Sequence, residues 1–69
     1  MTPVEKAIEI IGSQTALARL LEIKPQSVQQ WVKSSKVPAE RVLDIEKATN
    51  GKVTRHQLRP DIYPDDQAA

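Results

Sequence analysis

The stretch ARLLEIKPQSVQQWV, residues 18–32, limits the fold more than any other part of the chain. Apolar residues recur at helical spacing up to Leu21, Glu22-Ile23-Lys24 intervene, and after Pro25 the spacing resumes in a new phase. Proline lacks the amide that a continuing helix needs, yet it suits the first position of a new one. Two short helices joined by a tight turn are therefore predicted, the second over about Pro25–Ser34. That is the layout of a helix-turn-helix.

The rest of the chain reads as further short helices. Thr2-Pro3-Val4-Glu5 is a start signal with a capping box, and Val4, Ala7, Ile8 and Ile11 form one apolar stripe that Gly12 ends. Ser13 is placed to cap QTALARLL, with Leu17, Leu20 and Leu21 on one face. PAERVLDIEKATN, beginning at Pro38 and stopping before Gly51, carries Val42, Leu43 and Ile45 among interleaved charges. Thr54 is placed to cap one more turn, TRHQL. No strand pattern or repeat interrupts this. The expected fold is all-α, five short helices over residues 1–59, followed by an acidic, extended or flexible tail over 60–69 that holds two prolines and three aspartates.

Sixty-nine residues make one small domain with little room for a deep catalytic cavity. There is no cysteine for a disulfide or thiolate metal site, and His56 stands without a second ligand at metal spacing. No phosphate loop or nucleophile elbow surrounds the possible Ser13, His56 and Asp61 combination. Neither an enzyme nor a bound cofactor is expected. The charged N-terminus and the lack of a long apolar run predict a soluble intracellular protein away from the membrane. All ten basic residues fall in 1–59 against six acidic ones, a surplus that tolerates a polyanionic partner.

The phase of the third helix is the most informative feature. At about 100° per residue, Val28, Trp31 and Val32 share one side, and Gln26, Gln29, Gln30 and Lys33 share the other. In a helix-turn-helix the second helix lies in the DNA major groove and the first crosses the backbone. Glutamine pairs bidentately with adenine, and lysine reaches guanine or phosphate. Ser27 sits at the stripe's edge. Lys24, Lys33, Lys36 and Arg41 flank the helix as candidate phosphate contacts. The plainer alternative is a solvated polar face with ordinary surface lysines. Trp31 is assigned to the core rather than to base stacking. Arg55 and Arg59 are equally suited to phosphate contact, to capping the last helix, or to pairing with the tail.

Ser13–Val32 resembles the helix-turn-helix of phage Cro and repressor-type regulators: the Gln14-Thr15 start, Ala18 at the close-packing position, Leu21, Ile23 after the turn, and Val28 as the buried residue. With VPAERVLDIEKATNG and RHQLRPDIYP included, the layout looks like the YdaS-type, Cro-like subgroup of prophages, over nearly the whole chain to Pro64. The resemblance implies a small regulator that reads operator DNA, double-stranded and palindromic, as a homodimer, within the bacterial host's cytoplasm at the nucleoid. It implies that Gln14 and Thr15 meet phosphate and that Pro25, Gln26, Ser27, Gln29 and Gln30 face bases. It also brings in an antitoxin-type regulator that binds a protein partner as well as its own promoter. A helical interaction module without DNA binding is a further alternative. Glu22 departs from the pattern, because the family usually has glycine at that turn position, which calls for a left-handed backbone.

Overall fold

The computed structural model describes residues 1–64. Five helices follow one another, α1 (Pro3–Ile11), α2 (Gln14–Leu21), α3 (Pro25–Ser34), α4 (Ala39–Ala48) and α5 (Arg55–Leu58), with no strand among the described residues. The all-α, five-helix expectation holds.

Local chemistry sets most of the boundaries. The Thr2 hydroxyl accepts from the Glu5 amide at 3.2 Å while the Glu5 carboxylate accepts from the Thr2 amide at 2.9 Å, the reciprocal pair expected at the start of α1. Gly12 ends α1 at φ +127°, a backbone open to glycine alone, and its amide reaches the Ile8 carbonyl at 2.7 Å. The Ser13 hydroxyl accepts from the Ala16 amide at 3.0 Å to begin α2. Thr54 and Gln57 form a second capping box at α5.

α4 differs from its predicted span at both ends. Pro38 is the residue before the helix rather than its first member, and the helix closes at Ala48, ahead of Gly51. The chain leaves the helix through Asn50 and Gly51 at positive φ, and the Gly51 amide closes on the Glu46 carbonyl at 2.8 Å. Beside this turn lies Thr49, the one buried polar side chain among the described residues. Its hydroxyl has one hydrogen to donate, with the Ile45 carbonyl nearest at 3.0 Å, and it accepts from the Val53 amide at 3.2 Å, which ties the helix end to the following loop. Replacing Thr49 by valine keeps the shape but strands the buried Val53 amide. It is expected to lower stability by about 1–2 kcal/mol, read as a fall in thermal midpoint of roughly 4–16 °C. Thr49→Ser, which keeps the hydroxyl, is expected to retain most of the difference, and equal losses in the two variants would contradict the assignment.

The core gathers Val4 and Ala7 of α1, Leu17, Ala18 and Leu21 of α2, Val28 and Trp31 of α3, Val42 and Ile45 of α4 and Leu58 of α5. Two loop valines, Val37 and Val53, are fully buried with them. Two expected core residues are not in it. Leu20 is 59% exposed and Leu43 is 45% exposed. Helix phase explains both. The buried faces of α2 and α4 centre near Leu17/Leu21 and Val42/Ile45/Thr49, and Leu20 and Leu43 lie roughly 80° and 130° around the axis from those centres.

Residues 60–64 turn back rather than extend. The Arg59 carbonyl accepts from the amides of Ile62 at 3.1 Å and Tyr63 at 2.8 Å. Tyr63 packs half-buried against the core, its carbonyl accepts from His56 Nδ1 at 2.9 Å, and Arg55 lies 5.9 Å above its ring. The rest of the expected tail, 65–69, lies outside the described residues. No helix among the described residues is long and apolar enough to cross a membrane.

Candidate nucleic-acid interface

The turn between α2 and α3 sets the geometry of the surface. Glu22 adopts the left-handed conformation, φ 58° and ψ 44°, and the Ile23 amide closes back on the Ala18 carbonyl at 2.9 Å. Glutamate thus occupies a conformation that glycine takes without strain. Glu22→Gly is expected to raise stability by about 0.5–1 kcal/mol, measurable as a higher denaturant midpoint. A lower midpoint would mean that the Glu22 side chain holds the turn.

From this turn α3 emerges with its predicted boundaries and phase. Val28 and Trp31 are buried and Val32 half-buried. Gln26, Gln29, Gln30 and Lys33 are exposed, and with Gln14 and Val32 they line an open groove of about 560 Å³. Two helices therefore contribute to one polar surface, with the start of α2 meeting the outer face of α3. Ser27 is half-buried at the edge of that face.

Thr15 faces a different depression, of about 250 Å³, together with Ala18, Arg19, Ile23 and Pro25. The structure thus separates Gln14 and Thr15, which the sequence placed together, onto the two flanks of α2. It also adds Arg19, which sequence reasoning did not single out. Its signal was available: Arg19 is four residues after Thr15, one helical turn on, and is exposed.

Charge divides the basic residues into two sets. Arg41 pairs with Asp44 at 3.7 Å, Arg55 with Glu46 at 3.0 Å, and Arg59 with Asp61 at 2.8 Å. These three are engaged within the molecule. The other seven, Lys6, Arg19, Lys24, Lys33, Lys36, Lys47 and Lys52, are exposed and make no ion pair among the described residues. Of these, Lys24 lies immediately before α3, Lys33 in its last turn and Lys36 beyond its end. At the start of α2 the Gln14 and Thr15 amides precede the first capped donor, so they and the helix dipole suit an anion. No group of three or more metal-ligating side chains occurs among the described residues.

The model of the family described as Bacterial toxin YdaS matches residues 4–67. The chain belongs to the YdaS family. A YdaS relative of Escherichia coli (strain K12), named as a transcriptional regulator, is 49% identical over 59 residues, covering 84% of this chain and 60% of its own length. The chain thus spans about 60% of that curated relative. Among solved structures, the Cro protein from the prophage element Xfaso 1 in Xylella fastidiosa strain Ann-1 superposes with a TM-score of 0.87 at 42% identity, over 90% of this chain and 95% of that one. This YdaS-family chain therefore has a Cro-like helix-turn-helix fold, and the two relatives bear the names of regulators rather than of enzymes.

Proposed function

We propose that this protein is a sequence-specific transcription regulator, a Cro-type phage or prophage repressor that reads operator DNA through the major groove. The observation that carries the reading is the groove formed by Gln26, Gln29, Gln30 and Lys33 with Gln14, on the outer side of a helix whose inner side is core. In this reading Gln26, Gln29 and Gln30 pair with base edges and Ser27 and Pro25 contact the bases beside them. The amides of Gln14 and Thr15 meet one phosphate, and Lys24, Lys33 and Lys36 meet others. Repression follows where the bound site overlaps a promoter. Two copies bind as a homodimer on half-sites about one helical turn apart. The setting is the cytoplasm of the bacterial host, at the nucleoid.

Selection of bound sequences from a randomised duplex pool at near-physiological salt tests this. Enrichment of an inverted repeat is expected. A single unpaired site would keep the DNA reader and remove the dimer, and no enrichment by folded protein would remove DNA reading.

A second reading, a regulator that also binds a protein, is favoured by the exposed Leu20 beside a hollow of about 370 Å³ that Glu22, Arg41, Asp44 and Lys47 help to line. It shares no residue with the glutamine groove, so both partners fit at once. Co-purification with the product of a neighbouring gene separates this antitoxin-type arrangement from a plain repressor.

A further inference from the structure

The loop that follows α3 is anchored by the buried Val37 side chain and the Ser35 amide on the Trp31 carbonyl, but its backbone beyond Ser35 has few short hydrogen bonds of its own. Ser35 sits at φ 57°, a left-handed position that disfavours a side chain. The Lys36 amide reaches the Trp31 carbonyl at 3.3 Å, and the Ser34 hydroxyl reaches the Lys36 carbonyl at 3.4 Å. Both are long contacts. The short contact comes from elsewhere. Arg59 donates to the Val37 carbonyl at 2.7 Å, 22 residues away in sequence.

The same guanidinium is locked from behind. Its Nε donates to Asp61 Oδ1 at 3.0 Å and its Nη2 to Asp61 Oδ2 at 2.8 Å, a two-pronged match that lysine cannot make. The Arg59 side chain is only 13% exposed. The Arg59 hydrogen bonds hold the Asp61 carboxyl down to about 2, with the Lys36 charge a minor contributor. Arg59, Val37 and Lys36 line one shallow hollow with Gln30 and Trp31 of α3. Arg59 is therefore spent on the loop, and Lys36 is the cation of the group that stays exposed beside the reading helix.

We propose that Arg59 is a positioning residue for DNA-backbone contact: it holds loop 35–38 through the Val37 carbonyl, with Asp61 as its brace, so that Lys36 is presented to a phosphate at the downstream end of α3. This rests on the DNA-reading function proposed above. Its physical content is a coupling. Lys36 contributes its full charge contact only while Arg59 fixes the backbone from which it projects.

The test is the salt dependence of binding to the selected duplex, for wild type, Lys36→Gln, Arg59→Gln and the double variant, each first shown by circular dichroism to be folded at the assay temperature. One lost phosphate contact lowers the slope of log affinity against log salt by about one, roughly eightfold in affinity at 0.1 M salt. Lys36→Gln is expected to show that loss, Arg59→Gln most of the same loss, and the double variant little more than either. Two losses that add would mean independent contacts and overturn the proposal, as would an unchanged slope in Lys36→Gln or in Arg59→Gln. Lys33→Gln serves as a comparison, expected to add in full to Arg59→Gln. Where Arg59→Gln does not fold, Arg59→Lys is used in the same cycle. It keeps the charge and loses the fork, so a reduced slope supports positioning and a wild-type slope overturns it. A wild-type protein with no salt-sensitive DNA affinity overturns the DNA reading itself, and this proposal with it.

Discussion

Replacing Trp31 by alanine is expected to remove a third or more of the chain's folding stability. Trp31 is the only tryptophan, 6% exposed on the inner side of α3, and it belongs to the cluster that joins all five helices. Truncating a buried aromatic side chain costs about 3–5 kcal/mol, from lost burial and the cavity left behind. A 69-residue domain has roughly 3–10 kcal/mol of stability in total, so this one change consumes a third or more of it. Urea denaturation followed by far-ultraviolet circular dichroism measures the effect without relying on the fluorophore removed. Trp31→Phe, which refills most of the space, is expected to recover the greater part. A urea midpoint for Trp31→Ala close to that of wild type would place Trp31 at the surface, and with it reverse the phase of α3. The glutamine stripe would then have to be reassigned, since both faces rest on the same rotation of one helix.

The double variant Gln26→Ala/Gln30→Ala is expected to lose about 2–5 kcal/mol of binding to the preferred duplex and little on random DNA. Each glutamine that pairs with a base edge is worth about 1–3 kcal/mol of discrimination, and separate positions add approximately. The two residues are exposed and carry no charge, so their removal disturbs neither the core nor the backbone contacts that dominate non-specific affinity. Fluorescence anisotropy on the two duplexes at one salt concentration reads both numbers. Equal loss on the two would assign Gln26 and Gln30 to backbone contact rather than to base reading. Loss on neither would leave the glutamine face as solvated surface.

How much of this was legible in the sequence depends on the distance over which each feature is determined. α3 matched from end to end because Pro25 fixes its start and the three-and-four spacing of Val28, Trp31 and Val32 fixes its rotation. The caps at Thr2, Ser13 and Thr54 are contacts across three residues and were equally readable. Leu20 and Leu43 are apolar but lie well off the centres of their stripes, so hydrophobicity alone does not show that they are exposed. Val37 and Val53 are single valines in polar loops, with no period to mark them, and only the assembled helices reveal that they are enclosed. α4 ends at Ala48, ahead of Asn50 and Gly51, because the left-handed turn begins at Asn50, which carries a side chain and gives no glycine signal. In the candidate interface the glutamine stripe was visible from phase alone. The choice among the roles open to Arg41, Arg55 and Arg59 was not, because each is decided by a partner that the fold brings near.

The hydrogen bonds outside the helices have one more consequence, for the order of events when the chain is made. Among the described residues every side-chain hydrogen bond spans nine residues or fewer, except the one from Arg59 to Val37. Helical domains dominated by such short-range contacts fold in microseconds to milliseconds, whereas a ribosome adds a residue about every 50–200 ms. Helices of 4–10 residues are marginal in water by themselves, so α3 is secured only when the core residues of all five helices are present. Closure waits for Arg59 and Asp61, near the C-terminal end of the described chain. The bond that ties the loop after α3 to Arg59 can form only once residues well beyond that loop have been added.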